Sequence, residues 1–154
     1  MQYHLQDQIL SALQQLWLEA GTSAASRVLL EDVDGVDDMG VPAILIEAGP
    51  ETVESKSNSV TARTQLRTFD IYARVVVAQN ANYRQAAGQL LREIEQAVHA
   101  SVATATLGGL VADGLHLVAT DPDRDGNAAK VTYAIRTLWR ARYLCKENAP
   151  GTAL

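Results

Sequence analysis

The chain lacks most of the residue types on which disulfides, zinc sites and secretion depend. It has 154 residues with one cysteine and three histidines, so it cannot form an internal disulfide and offers no cluster of zinc ligands. No apolar run approaches the roughly 20 residues that span a bilayer as a helix. The N-terminal residues lack the basic start and apolar run of a signal peptide. We therefore expect a globular protein of a reducing compartment.

Basic charge and catalytic motifs are also scarce. The chain has 13 Lys and Arg against 18 Asp and Glu, a net charge of −5, whereas general nucleic-acid binding needs a basic surface. No glycine-rich phosphate loop follows a predicted strand, and no nucleophile-elbow pattern is present. The sequence therefore predicts no catalytic residue, no metal site and no cofactor.

Two segments carry apolar residues every three or four positions, which is typical of amphipathic helices. The first helix is predicted to end at Gly21, which suits a C-terminal cap. The second is predicted to begin at Asn82, with Gln85 completing a capping box. The apolar face of the first helix comprises Leu5, Ile9, Leu13, Leu16, Trp17 and Ala20. That of the second comprises Tyr83, Ala87, Leu90, Leu91, Ile94, Ala97 and Val98.

Five further segments predict strands, at residues 27–32, 42–48, 66–78, 115–119 and 130–143. Residues 42–48 are continuously apolar, which favours burial on both faces, whereas residues 68–77 alternate and predict one buried face. The order α-β-β-β-α-β-β favours one α+β domain, in which two helices cover one face of a mostly antiparallel, mixed sheet of about five strands. This domain is predicted to span residues 1–145, and residues 146–154 are predicted to form a flexible tail.

Residues 49–65 lie between two predicted strands and contain little to bury. Val53 and Val60 are their only sizeable apolar side chains, whereas serine, threonine and asparagine supply many hydrogen-bonding groups. Such a segment cannot hold a fixed fold alone but can form hydrogen bonds on a partner. We therefore predict a long polar loop that is mobile in the free protein. Its predicted partner-binding residues are Glu51, Thr52, Glu54, Lys56, Asn58 and Arg63.

The last predicted strand is basic on one face. Trp139 and its alternate neighbours share the face expected in the core, and four of the seven residues from Lys130 to Arg142 on the other face are Lys or Arg. That other face is either solvated or meets acid, on a neighbouring subunit or on nucleic acid. Acidic residues 31–38 and 121–125 of another copy are candidates for this acid. The predicted subunit-interface residues are Arg136, Arg140, Arg142, Asp37 and Asp38.

One acidic motif resembles the first half of a calcium loop. Asp121, Asp123 and Asp125 are followed by Gly126 in the D-x-D-x-D-G spacing of such loops. The twelfth position of the loop needs a bidentate glutamate and here is Thr132. Strands rather than helices are also predicted on both sides. We therefore favour a tight turn between two strands and predict no required metal site.

The order and lengths of these segments resemble the tail terminator, or tail completion, proteins of long-tailed bacteriophages, typified by the lambda minor tail protein U and its counterparts in Mu-like phages. The likeness rests on "VPAILIEAG", "RTFDIYARVVVAQN", "YRQAAGQLLREIEQAVHAS", "LGG" and "RTLWRARY", in that order. It implies a structural virion protein rather than an enzyme. Such a protein forms a hexameric ring that caps the tail tube, ends its polymerisation and offers a surface to the head connector.

The resemblance also implies partners and a location. The partners are other copies of the chain, the tail tube protein and the connector or neck protein. DNA passes through the pore of the ring without specific binding, and the protein lies in the tail or neck of the virion after assembly in the host cytoplasm. No membrane is involved.

Other functions remain open from the residues alone. One is a different phage neck or head-completion protein. Another is a small metal-dependent enzyme that uses the aspartate-rich turns, and a third is a homodimeric ligand-binding domain. A metal enzyme would lose stability or activity with a chelator, whereas a ring protein would have a mass near six protomers.

Overall fold

The computed structural model describes residues 4–30, 40–57, 60, 62–123 and 132–154. Its helices are α1 (Leu5–Glu19), α2 (Tyr83–Val98) and α3 (Val102–Ala105). Its strands are β1 (Val28–Leu30), β2 (Ala43–Ser55), β3 (Thr64–Ala78), β4 (His116–Asp123), β5 (Thr132–Lys146) and β6 (Ala149–Ala153). Among these described residues, no helix is long and apolar enough to cross a membrane.

The strands form one mixed sheet, so the predicted α+β class is confirmed. The order across the sheet is β1-β2-β3-β5-β4, and β6 pairs with β5 beside this path. Only β1 and β2 run parallel, and every other pair is antiparallel. The described part of the chain thus has six strands instead of the expected five or so.

Both long helices cover the same face of the sheet. All of their buried residues except Leu10 fall on the predicted stripes. They are Leu5, Ile9, Leu10, Leu13 and Trp17 in α1, and Ala87, Leu90, Ile94 and Val98 in α2. As predicted, α1 is followed by a left-handed residue, Gly21 with φ +67. The predicted capping box of α2 is wrong, because Asn82 is the N-cap residue but its side chain makes no capping hydrogen bond.

The centre of the core joins both helices to β5. The rings of Trp17 and Trp139 meet edge to face with their centroids 6.0 Å apart. Trp17 Nε1 donates to the carbonyl of Ile94 at 3.2 Å. Trp139 Nε1 donates to Thr137 Oγ1 at 2.8 Å, and this hydroxyl donates to the carbonyl of Ala73 at 2.7 Å. These polar atoms are therefore buried with partners, which avoids the cost of an unsatisfied group.

The expected loop at residues 49–65 is largely strand, so this prediction is wrong. After a bulge between Ala48 and Glu51, β2 continues to Ser55, which pairs with Gln65 of β3. Gln65 pairs in turn with Cys145 of β5. A polar strand needs no apolar residues of its own when two long neighbours complete its backbone hydrogen bonds. We call residues 51–55, 64–69 and 141–146 the arm.

The expected flexible tail is also wrong. A two-residue turn at Glu147 and Asn148 returns the chain to form β6, in which Ala153 pairs with Cys145. Gln8 Nε2 of α1 donates to the carbonyl of Gly151 at 2.8 Å, which ties β6 to the body. Asparagine suits such a turn, but the partners of β6 lie far away in the chain.

Smaller differences concern element ends. The first strand is described at Val28–Leu30, whereas residues 31 and 32 of the predicted strand lie outside the described residues. Burial on both faces of β2 is confined to residues 43–46. Asp121 to Asp123, expected in a turn, continue β4. Asp37, Asp38, Asn58 and Asp125 lie outside the described residues, as does the rest of the expected calcium-like turn.

Replacing Trp139 with alanine should destabilise the protomer by about 3–5 kcal/mol, because the indole is fully buried and its loss leaves a cavity. Urea unfolding followed by circular dichroism measures the change. Leu138→Ala is the control, since Leu138 is only half-buried on the opposite sheet face and should cost clearly less. Equal losses for the two variants would contradict the assigned faces.

Candidate partner-binding surface

The sheet face opposite the helices carries the residues predicted for subunit contacts, and we call it the open face. No described helix packs against it, because α1 and α2 share a single core with the other face. Strand alternation places on it the even-numbered residues of β3 and β5, with their partners on β2 and β4. The side chains at its centre are Tyr72, Arg74, Arg136, Leu138 and Arg140.

A glycine allows an aromatic ring to lie flat at this centre. A Cβ atom on Gly49 would be 2.6 Å from the carbonyl oxygen of Asp70 and 2.9 Å from Cε2 of Tyr72. Only glycine therefore fits beneath the ring, a pairing that is known to stabilise sheets. The guanidinium carbon of Arg136 stands 3.8 Å from the Tyr72 ring centroid. This stacking holds the guanidinium group in one orientation.

The three predicted interface arginines have different surroundings. Arg140 forms a two-pronged ion pair with Asp70, with Nε–Oδ1 at 2.9 Å and Nη2–Oδ2 at 3.3 Å. Arg142 pairs with Asp113 at 3.2 Å. Arg136 forms no ion pair with any described residue, so it is the arginine of the three whose charge is available to a partner.

The surroundings of Arg136 are mixed in charge. Arg74 of β3 lies directly opposite it on one side, and Asp121 of β4 on the other. At one end of the open face Leu45, Val76 and Ala134 form a small second apolar cluster, which is buried within the protomer. Aromatic residues and arginine, as at the centre of this face, are enriched in protein interfaces.

Proline interrupts two stretches of sheet edge that no described strand pairs. On β2, beyond the three residues that pair with β1, Pro50 lies in the bulge that follows Ala48, and on β4, Pro122 follows a bulge between Leu117 and Ala119. Proline removes a backbone donor and a bulge twists the edge away, and natural sheets use both to prevent edge-to-edge association. These stretches of β2 and β4 are therefore poor sites for edge-to-edge association.

The predicted partner-binding residues 51–63 do not form one exposed group. Thr52, Glu54 and Lys56 are exposed on the arm, where Lys56 pairs with Glu54 at 2.9 Å. Glu51 points towards the helices, so its assignment to a partner is wrong. The backbone N–H of Arg63 donates to Glu147 of the same chain at 3.3 Å.

Glu51 belongs to a polar cluster that the sequence analysis missed. Its carboxylate accepts a hydrogen bond from the Tyr143 hydroxyl and pairs with Arg67 at 3.2 Å, and both its side chain and that of Arg67 are largely buried. Arg67 also lies 3.0 Å from Nε2 of His4, the N-cap residue of α1. The sequence pattern could have indicated this cluster, because Arg67 and the buried Phe69 are two residues apart on β3 and therefore lie on the same face of the sheet.

This cluster anchors the arm to the start of α1. Burial, and then the Glu51 carboxylate, raise the pKa of the Tyr143 hydroxyl far above its usual range, so the hydroxyl stays a donor. Burial likewise raises the pKa of the neighbouring Cys145 thiol. The cysteine is thus a passive thiol, since a reactive one needs a lowered pKa.

The remaining surface offers less defined sites. No three His, Cys, Asp or Glu residues within the described ranges could hold a metal ion together. A cavity of about 290 Å³ lies between the end of α1 and α2, lined by Thr22, Glu93 and Gln96 among others. The carboxylate of Glu93 already accepts two hydrogen bonds from Ser23, one from its backbone N–H at 2.6 Å and one from its hydroxyl at 2.5 Å.

Gly49→Ala should destabilise the protein by about 1–3 kcal/mol, because the added methyl group must displace the Tyr72 ring or the β3 backbone. Gly88→Ala is the matched control, since a Cβ there meets nothing within 4 Å. In the interior of α2 it should be neutral or stabilising by up to about 1 kcal/mol. Urea unfolding compares the two, and a fully stable Gly49→Ala protein would contradict the flat Tyr72 arrangement.

Comparison with known proteins gives no family for this chain: no protein-family model and no curated protein matches it. We therefore infer its function from the open face, the edge stretches that proline blocks and the anchored arm.

Proposed function

We propose that this chain is the subunit of a ring that caps the tail tube of a long-tailed bacteriophage, stops its polymerisation and presents a surface to the head connector. The observation that carries this proposal is the open face, a broad sheet surface with an ordered aromatic and arginine centre. Such a surface suits binding to another protein more than it suits chemistry on a small molecule, which takes place in concave sites.

The size of the open face suits a stable interface. Four strands spaced about 4.8 Å apart, with about ten residues each rising 3.3 Å, cover roughly 700 Å². A standard interface takes about 800 Å² from each partner. One neighbouring protomer is therefore enough to cover this face.

The charges on the open face favour a ring over a two-fold dimer. In a two-fold dimer the same patch meets itself, and Arg136, if near the axis, would then face Arg136 of the other copy. A head-to-tail contact instead sets this face against a different surface of the next copy, and such contacts close into rings when the rotation permits. The number six comes from the resemblance to tail terminators.

The net charge also suits a ring around DNA. With a net charge of −5, the protomer repels DNA at long range, which lets a pore pass DNA without holding it. The protein then acts without a cofactor and meets the tube protein and the connector protein at the two ends of its ring.

The direct test is tube length. Tail tube protein of the same phage should polymerise to variable lengths alone and stop at a uniform length when this chain is supplied, as measured by electron microscopy of tails from a phage lacking the gene. Tails of normal length without the chain would contradict the proposal.

A second test concerns residues 57–62, which connect β2 to β3 in the sequence and which we call the tip of the arm. Replacing residues 57–62 with a short Gly-Ser turn should leave the circular dichroism spectrum unchanged, because Glu51 and the paired strands are retained, while the fraction of completed tails falls sharply. The control replaces Asn80 and Ala81, exposed residues before α2, with Gly-Ser and should complement fully. Full complementation by the tip variant would mean that the tip touches no partner.

A further inference from the structure

Arg136 is held in position without being neutralised. Its guanidinium group stacks on the Tyr72 ring at 3.8 Å, which occupies the flat face of the group and leaves its edge N–H donors free to point outward. The next arginine on the strand, Arg140, already has a carboxylate in Asp70. Asp121 lies opposite Arg136 in register, yet the two form no ion pair in the described structure.

The guanidinium group of Arg136 is accessible from outside the protomer. Arg136 is exposed on the open face, so a carboxylate of a partner can approach its edge. Such a carboxylate would form charge-assisted hydrogen bonds with the edge of Arg136, a geometry in which arginine is stronger than lysine.

We propose that the Tyr72–Arg136 pair is the anchor that receives an aspartate or glutamate side chain from a second copy of this chain. The inference rests on the ring proposed above and names the chemistry of its contact. A second copy is favoured because the chain is acidic overall, at −5, and carries exposed carboxylates such as Asp7 and Glu19 on its helix side. The same net charge disfavours a nucleic-acid phosphate as the anion.

Zero-length cross-linking tests this contact. Arg136→Lys introduces an amine that a carbodiimide joins to any carboxylate in direct contact. A mixture of unlabelled and ¹⁵N-labelled Arg136→Lys protein distinguishes links between chains from links within one chain by mass spectrometry. The expected result is an inter-chain link from position 136 to an Asp or Glu. The unaltered protein, whose Arg136 does not react with the carbodiimide-activated carboxylate, is the control and should give no link from this position.

A second measurement tests how the loss of the planar guanidinium group at position 136 affects assembly. In native mass spectrometry, oligomers of Arg136→Lys should require about tenfold higher protein concentration to form, as expected for an anchor residue worth more than 1 kcal/mol. Arg136→Glu should form no oligomers. The control is Asn80→Glu, at an exposed residue before α2, and should assemble like the unaltered protein.

The outcomes separate the anchor from the ring. Oligomers that form normally but carry links from position 136 only within a chain, for example to Asp121, would overturn the anchor and leave the ring standing. If the unaltered protein formed no oligomer, alone or on tail tubes, the ring would fail and the anchor with it.

Discussion

Fifteen residues of β3 pair with fifteen residues of β5 without a break, from Thr64 opposite Lys146 to Ala78 opposite Thr132. Because successive side chains of a strand point to opposite faces, this single register assigns every residue of both strands to the core or to the open face. It places Trp139 against Trp17 in the core. It places Arg136 on the open face, and it carries the sheet beyond the helices into the arm.

The arm follows from the same register and from one buried polar cluster. Glu51, Arg67 and Tyr143 come from three adjacent strands and satisfy one another beneath the N-terminus of α1. Removing one member of such a cluster leaves a buried charge without its partner, which is costly. The arm is therefore an anchored part of the sheet, and the contact surfaces that we propose are already formed in the single protomer.

The sequence predicts what depends on local pattern. The helix stripes, the C-terminal glycine of α1 and the inward position of Trp139 are all visible in residue spacing. The strands of the arm and β6 are not, because their polar residues pair with strands that are distant in the chain. Alternation along one strand is also local, so the sheet face that carries Arg136 and Arg140 could be predicted. The pairing of Arg140 with Asp70 and the stacking of Arg136 on Tyr72 could not, because these partners lie on a strand that is distant in the chain. Gly49 gives no local sign that it makes room for a ring across the sheet.

We propose that the open face binds a neighbouring copy head to tail, so that the protomers close into a ring. Negative-stain electron microscopy of the purified protein, alone and after addition of tail tubes, would reveal such rings. We expect closed rings with a central opening, of a size that fits six protomers, or caps of that size at tube ends. Particles that remain single protomers or two-fold dimers under both conditions would rule out the ring.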